Sequence, residues 1–298
     1  MSQVTESIFG NTYIQDIMAG GAAGVLNVYA TQPFMIAKLR TQKNQKVLMS
    51  PKVLWSGSCA MSVGDFTVLA TQNVFFKNFQ LALVEANMGT AGTLLAGGIA
   101  GITSSIPLTI SEVIIDQHQT RRDTWEKAKK FDKTLRAPSY YPTLKAIWRT
   151  QGPKGFFLGF KCTCMRETIF TLACKNWADQ MTNLYEQRIP DQRIAQICGG
   201  MSAGILGATL SHPFDTAKVM YQNGTAKDYL NFLKMMYRDD LQKMESSKAI
   251  HKLTSVVMKE AFKGFPARAI MVAITVPIVN ISTQFFTKGL ESLANSPK

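Results

Sequence analysis

Charged residues are absent from four long stretches of this chain. Uncharged runs cover Ile17 to Ala37, Ala86 to Ser111, Ile194 to Phe214 and Ala269 to Thr287, each near the ~20 residues that a helix needs to cross a bilayer core. Two further apolar stretches, about 58–77 and 160–178, are interrupted by Asp65, Arg166, Glu167 and Lys175. A charge inside a spanning helix is expensive and normally faces a polar cavity. The pattern therefore predicts six spanning helices around a polar interior. A soluble all-helical bundle with four very apolar core helices is the competing reading.

The apolar stretches are also repeated. Gly20-x-x-x-Gly24 is followed by Gln42, Gly97-x-x-x-Gly101 by Gln119, and Gly200-x-x-x-Gly204 by Gln222, always 18 residues after the second glycine. Glycines at this spacing let a neighbouring helix approach closely. An aromatic-x-Gly step recurs at Trp55–Gly57, Phe157–Gly159 and Phe262–Gly264. Each unit thus reads as helix, basic loop, helix, and a fixed period of this kind marks a repeat architecture. Expected helices cover about 12–41, 57–85, 91–119, 159–186 and 193–222, with the sixth starting after Gly264. A charged connection over 120–150 is expected to hold a short surface helix near 140–150, and a polar segment with helical pattern follows Gln222. The whole chain, 1–298, reads as one domain with repeats at about 8–88, 89–190 and 191–298.

Hydrophobic content of 46% does not separate membrane from soluble, but the distribution of the +13 net charge does more. Segment 43–56 carries Lys43, Lys46 and Lys52 with no acid, 120–154 has ten bases against three acids, and 223–263 has eight against five. The alternate connections, 78–92 and 178–193, are each net minus one. Basic loops therefore fall on one side of a six-span topology with both termini on the other. This alternation argues against nucleic-acid binding, which asks for a basic surface interleaved with aromatics. Cys59, Cys162, Cys164, Cys174 and Cys198 lie in or beside apolar segments, and His118, His212 and His251 are scattered, so neither a disulfide framework nor a metal site is implied. No nucleophile–base pair, P-loop or dinucleotide fingerprint points to an enzyme or a cofactor. With no Lys or Arg before Lys38, neither a secretory signal nor a cleavable presequence is expected.

Taken together, these residues resemble the mitochondrial carriers, whose three units each carry Pro-x-Asp/Glu-x-x-Lys/Arg and, later, aromatic-Lys/Arg-Gly. The third unit fits closely, with Pro213-Phe214-Asp215-Thr216-Ala217-Lys218 and then Phe262-Lys263-Gly264. The first has Met35 in the acid slot but keeps Lys38, and the second has Ile110, Glu112 and Ile115 in the three slots. The resemblance implies an all-α fold of six transmembrane helices in three pseudo-threefold repeats around a central cavity, with short matrix-side surface helices. It also implies antiport by alternating access, with a matrix gate in which Glu112 pairs with Lys218 and Asp215 with Lys38. Met35 and Ile115 replace the third pair together. Losing one partner would strand a buried charge, whereas an apolar pair can be neutral. Gln42, Gln119 and Gln222 would brace the gate. The family's opposite network would fall on Lys77, Asp179 and Gln284 with Gln80, Thr182 and Thr287. It looks largely absent, which predicts easy opening on the termini side or transport without strict exchange.

The same register puts substrate contacts at Gly64 and Asp65, at Arg166 and Glu167, and at Met271 with Arg268 one turn earlier. Arginine is the natural clamp for carboxylate or phosphate. The implied cargo is a small anionic or zwitterionic metabolite. Two arginines and basic loops favour a nucleotide of the ATP/ADP class, while an Arg–Glu pair suits an amino acid and carboxylates come third. The departures from the pattern resemble divergent members, including a nucleotide carrier that an intracellular bacterium delivers to host mitochondria. The resemblance further implies a monomer in the mitochondrial inner membrane, termini in the intermembrane space, with anionic phospholipid such as cardiolipin bound and no nucleic acid. A membrane scaffold without transport is the alternative from another class, and there the cavity charges would be dispensable.

Overall fold

The computed structural model describes residues 12–43, 46, 50–55, 57–129, 131, 132, 134, 136, 138–222, 259 and 261–294. The expected helical pattern between Gln222 and Phe262 lies almost wholly outside the described residues. Among those described, every regular element is helical. Helix α1 covers Thr12–Gln42, α2 Pro51–Leu54, α3 Ser58–Glu85, α4 Gly89–Lys129 and α5 Tyr140–Gln151. After a 3-10 turn at Pro153–Phe157, one continuous rod holds α6 (Phe160–Leu172), a π turn (Ala173–Trp177) and α7 (Ala178–Glu186). Helices α8 (Gln192–Gln222) and α9 (Phe265–Ala294) complete the chain.

Each long helix packs on its chain neighbours, and α9 packs back on α1, closing a six-membered ring. Inside each repeat the seam is set by the glycine pairs. A Cβ on Gly24 would lie 2.6 Å from the Asp65 carbonyl oxygen, one on Gly101 2.7 Å from Thr168 Cα, and one on Gly204 2.6 Å from the Val272 carbonyl oxygen. No side chain fits there, so α1 and α3, α4 and α6, and α8 and α9 meet backbone to backbone. The aromatic-x-Gly steps share a second geometry. Gly57, Gly159 and Gly264 have φ of 83°, 80° and 79° and stand at the starts of α3, α6 and α9, in the left-handed region that L side chains avoid.

Helices α1, α4 and α8, the first long helix of each repeat, carry Pro33, Pro107 and Pro213 inside them. A proline removes the donor for the carbonyl four residues back. In the first repeat the Trp55 indole replaces it, donating to the Tyr29 carbonyl at 3.2 Å. The aromatic of one motif thus repairs the helix bend of the other.

Burial is inside out relative to a soluble bundle. Leu26, Leu95, Ile102, Ile205, Leu210 and Ile270 are exposed, while Lys38, Glu112, Arg166, Glu167, Asp215, Lys218 and Arg268 are buried. Three helices, Gly89–Lys129, Gln192–Gln222 and Phe265–Leu293, are long and apolar enough to cross a membrane by composition alone. The other three long elements place Gln, Asn, Thr and charged residues toward the lumen, which lowers their mean hydropathy without shortening them. One expected boundary moves. Helix α4 ends at Lys129 rather than near 119, because no Gly or Pro interrupts residues 108–137, and its exposed extension holds an Arg122–Glu126 pair at 3.4 Å. The surface helix expected near 140–150 is α5, docked by Arg121 donating to the Pro142 carbonyl at 3.2 Å.

Candidate functional site

Of the charges that interrupt the apolar stretches, Asp65, Arg166 and Glu167 line one cavity in the lumen, and buried ion pairs lie toward its basic-loop face. Lys38 on α1 meets Asp215 on α8 at 2.9 Å, and Lys218 on α8 meets Glu112 on α4 at 2.6 Å. Met35 and Ile115 share one buried apolar cluster with Val28, Leu39, Met61 and Val219. Of the three glutamines, Gln42 donates to Asp215 at 3.0 Å. Gln222 instead donates to the Leu158 carbonyl at 3.1 Å, tying down the turn before α6. The Gln119 amide nitrogen is buried without a hydrogen-bond partner.

The two arginines join this ring. Arg166 lies 2.8 Å from Glu112, 2.9 Å from Asp215 and 3.0 Å from Glu167. Arg268 lies 2.8 Å from Asp215 and donates to Ser211 Oγ at 2.6 Å. Its Nε is buried without a hydrogen-bond partner. Asp215, fully buried, therefore faces three cations, Lys38, Arg166 and Arg268. Charge-assisted bonds of this kind are the strong ones, so the arginines tie the centre of the lumen to the ion pairs at its base.

Lys38, Asp65, Glu112, Arg166, Glu167, Arg268 and Met271 all line one cavity. Gly64 is not in that wall. A Cβ there would sit 2.8 Å from Ser111 Oγ, so the absent side chain serves the α3–α4 seam. Glu167 accepts from Gln72 at 3.3 Å, and Asp65 accepts from Asn27 at 3.1 Å. Asp65 has no cation within ion-pair distance among the described residues.

One pair was not expected from the sequence. Lys43 meets Asp116 at 2.6 Å, with side chains 10% and 8% exposed. It links the end of α1 to α4, the same two helices that Met35 and Ile115 join, with Lys43 two turns beyond Met35 and Asp116 next to Ile115. Asp116 follows Glu112 by four residues and so shares its helix face. That spacing was the available signal. On the opposite face, Lys77 pairs with Asp16 at 3.0 Å. Among the described residues no ion pair links Lys77, Gln80, Asp179, Thr182, Gln284 and Thr287 to one another.

A closed ring of spanning helices, apolar outside and charged within, with ion pairs between non-adjacent helices at one end, defines a membrane carrier with a central cavity. A family model for mitochondrial carrier protein matches residues 86–188. The chain is 26% identical over 234 residues to the Tricarboxylate transporter FUM11 of Gibberella moniliformis, covering 72% of each. It is 22% identical to the Calcium-dependent mitochondrial ATP-magnesium/phosphate carrier protein 3 of Arabidopsis thaliana, over 73% of this chain but only about half (48%) of that longer relative. It is 21% identical to the Mitochondrial glycine transporter of Kluyveromyces lactis, over 71% of this chain and 80% of the relative.

The family model and these relatives together support a divergent member of the mitochondrial carrier family. Members of that family are transporters, not enzymes. The likeness to these carriers points to a multi-pass protein of the mitochondrial inner membrane that moves small metabolites.

Proposed function

We propose that this carrier moves a small zwitterionic metabolite, an amino acid or a close analogue, by alternating access around the cavity at Asp65, Arg166, Glu167 and Arg268. One observation carries the reading. The ionisable groups of the cavity wall, Lys38, Arg166 and Arg268 against Asp65, Glu112 and Glu167, balance in formal charge, and Asp65 is the acid without a cation. A zwitterion fits a neutral wall. Its carboxylate takes the free Arg268 Nε, and its ammonium group takes Asp65.

Binding then acts on the gate. A carboxylate that draws Arg268 and Arg166 away from Asp215 leaves Lys38 as its one close cation beside the Gln42 amide. Only such differential contact between the two states of a carrier moves its equilibrium. The gate in this reading is the Lys38–Asp215 and Lys218–Glu112 pairs with Met35 and Ile115 packed between, and it faces the matrix. The termini face the intermembrane space, and the carrier acts as a monomer. Anionic phospholipid, cardiolipin included, is held where α3, α6 and α9 begin.

A nucleotide is the second reading, supported by the basic loops and by the likeness to the ATP-magnesium/phosphate carrier. It is weakened because both arginines are already engaged by carboxylates, and several phosphate charges would meet Asp65, Glu112 and Glu167 in the same lumen.

The test is uptake by purified protein in liposomes against amino acids, carboxylates and nucleotides, with Arg166→Ala and Asp65→Asn alongside. Saturable amino-acid uptake that both substitutions abolish is the expected result. Uptake of nucleotides or carboxylates that survives Asp65→Asn overturns the zwitterion assignment. A folded protein that moves none of them overturns transport and leaves the scaffold reading.

A further inference from the structure

Among the described residues no ion pair links the family's termini-side slots to one another, yet the lumen is crossed by polar bonds on that face. Lys175 Nζ donates to Asn73 Oδ1 at 2.7 Å, and Asn280 Nδ2 donates to the Cys174 carbonyl at 3.1 Å. Neither bond joins neighbours in the ring. The first runs from α3 to the π turn across the flank of α4, and the second from α9 to the π turn across the flank of α8.

The three side chains are equivalent by repeat. Asn73, Lys175 and Asn280 each lie 16 residues beyond a left-handed glycine, Gly57, Gly159 and Gly264 respectively. Lys77, Asp179 and Gln284 each lie one turn further out. Lys175 is nine residues beyond Arg166, roughly 13 Å up the helix axis at 1.5 Å per residue. The layer therefore stands above the central cavity on the side opposite the Lys38–Asp215 pair.

We propose that Asn73, Lys175 and Asn280 form the second gate of this carrier, a threefold polar latch set one turn deeper than the slots at Lys77, Asp179 and Gln284. The π turn is part of the device. A wide turn shifts the helix register and disturbs the carbonyl ladder, a feature often found at functional positions. Here it presents the Cys174 carbonyl to Asn280 and aims Lys175 across the lumen. Gly20 makes room on α1, since a Cβ there would sit 2.6 Å from Asn73 Nδ2.

The latch is weaker than its counterpart. It consists of one cation on an amide, supported by the Phe76 ring 5.9 Å from Lys175 Nζ, and one amide on a carbonyl. The loop-side ring has several ion pairs. This face accordingly opens first, and its opening is set by residues that a search of the usual slots passes over.

The inference rests on the alternating-access reading but on no particular substrate, so its test moves no solute. Thr275 lines the cavity. A Thr275→Cys protein is reconstituted in vesicles of uniform orientation and exposed to a membrane-impermeant methanethiosulfonate reagent from either side. Modification is read at that peptide by mass spectrometry. Lys175→Met, which loses a charge-assisted hydrogen bond, is expected to speed labelling about tenfold from one side only, and Asn280→Ala, which loses a neutral one, about threefold from the same side. Asn73→Asp, which turns the Lys175 contact into an ion pair, is expected to slow it. Rates that stay at the parent value, or rise equally from both sides, overturn the latch. Should Lys175→Met fail to fold, Asn73→Asp decides alone, and unchanged or faster labelling there refutes it. Asp215→Asn in the same assay is expected to raise labelling from the opposite side. If it does not, the alternating-access reading fails while the one-sided effect of the latch is still read separately.

Discussion

Lys43 and Asp116 offer the sharpest test of how the α1–α4 flank is closed. Lys43→Met leaves Asp116 almost buried, at 8% side-chain exposure, without its cation. Stranding one partner of a fully buried pair costs ~3–5 kcal/mol, whereas an exposed pair is worth ~0–1 kcal/mol. At 10% and 8% exposure, beside the polar Thr120 hydroxyl that Lys43 also reaches at 3.4 Å, the loss belongs between these limits, at about 2 kcal/mol. For a chain of this size that lowers the unfolding midpoint by roughly 3 °C. The assay is a double-mutant cycle with Lys43→Met, Asp116→Asn and both together, followed by intrinsic-fluorescence melts of the detergent-solubilised protein. A coupling energy of about 1 kcal/mol or more is expected, and the reversed pair Lys43→Asp with Asp116→Lys should recover at least half of the loss. Effects that add to within ~0.5 kcal/mol, the behaviour of independent sites, would refute the idea that this pair secures the flank where Met35 and Ile115 stand.

Three further outcomes follow from the same geometry. Gly101→Val should be among the most damaging single changes, because its Cβ lands 2.7 Å from Thr168 Cα, and the folded yield of the purified protein reads this directly. Gln42→Ala should lower the melting midpoint by the equivalent of about 1 kcal/mol through the lost bond to Asp215, whereas Gln119→Ala, which breaks no amide donor bond, should leave it within error. Met35→Leu should be silent in uptake and melting, but Met35→Asp buries a carboxylate in the apolar cluster and should lose both, with partial rescue by Ile115→Lys.

The six helices and their seams were legible because bilayer length and close glycine contacts both leave marks in one dimension. Gly24, Gly101 and Gly204 do in space what their spacing suggests. The Lys38–Asp215 and Lys218–Glu112 pairings were legible through the family's motif. Other features depend on the closed ring and leave little trace along the chain. Arg166 reaches Glu112 and Asp215, 54 and 49 positions away, only because three helices converge on it. Gln222 occupies its expected register yet bonds to the Leu158 carbonyl, since the turn before α6 lies nearer than the ion pair. The extension of α4 past residue 119 was hidden by its charges, which suggest a loop although no helix breaker is present.

The closure of the ring by α9 on α1 also has a consequence for biosynthesis. Lys38 meets its carboxylate 177 residues further along the chain. At a ribosomal rate of roughly 5–20 residues per second, the first span waits about 10–35 s for that partner. Over that interval a cation meant for the lumen has no counter-ion, and one flank of α1 has no neighbour. A chaperone or insertase that shields this flank until the last helix emerges would relieve both, and a chain stalled before Asp215 would expose a basic span that quality control can recognise.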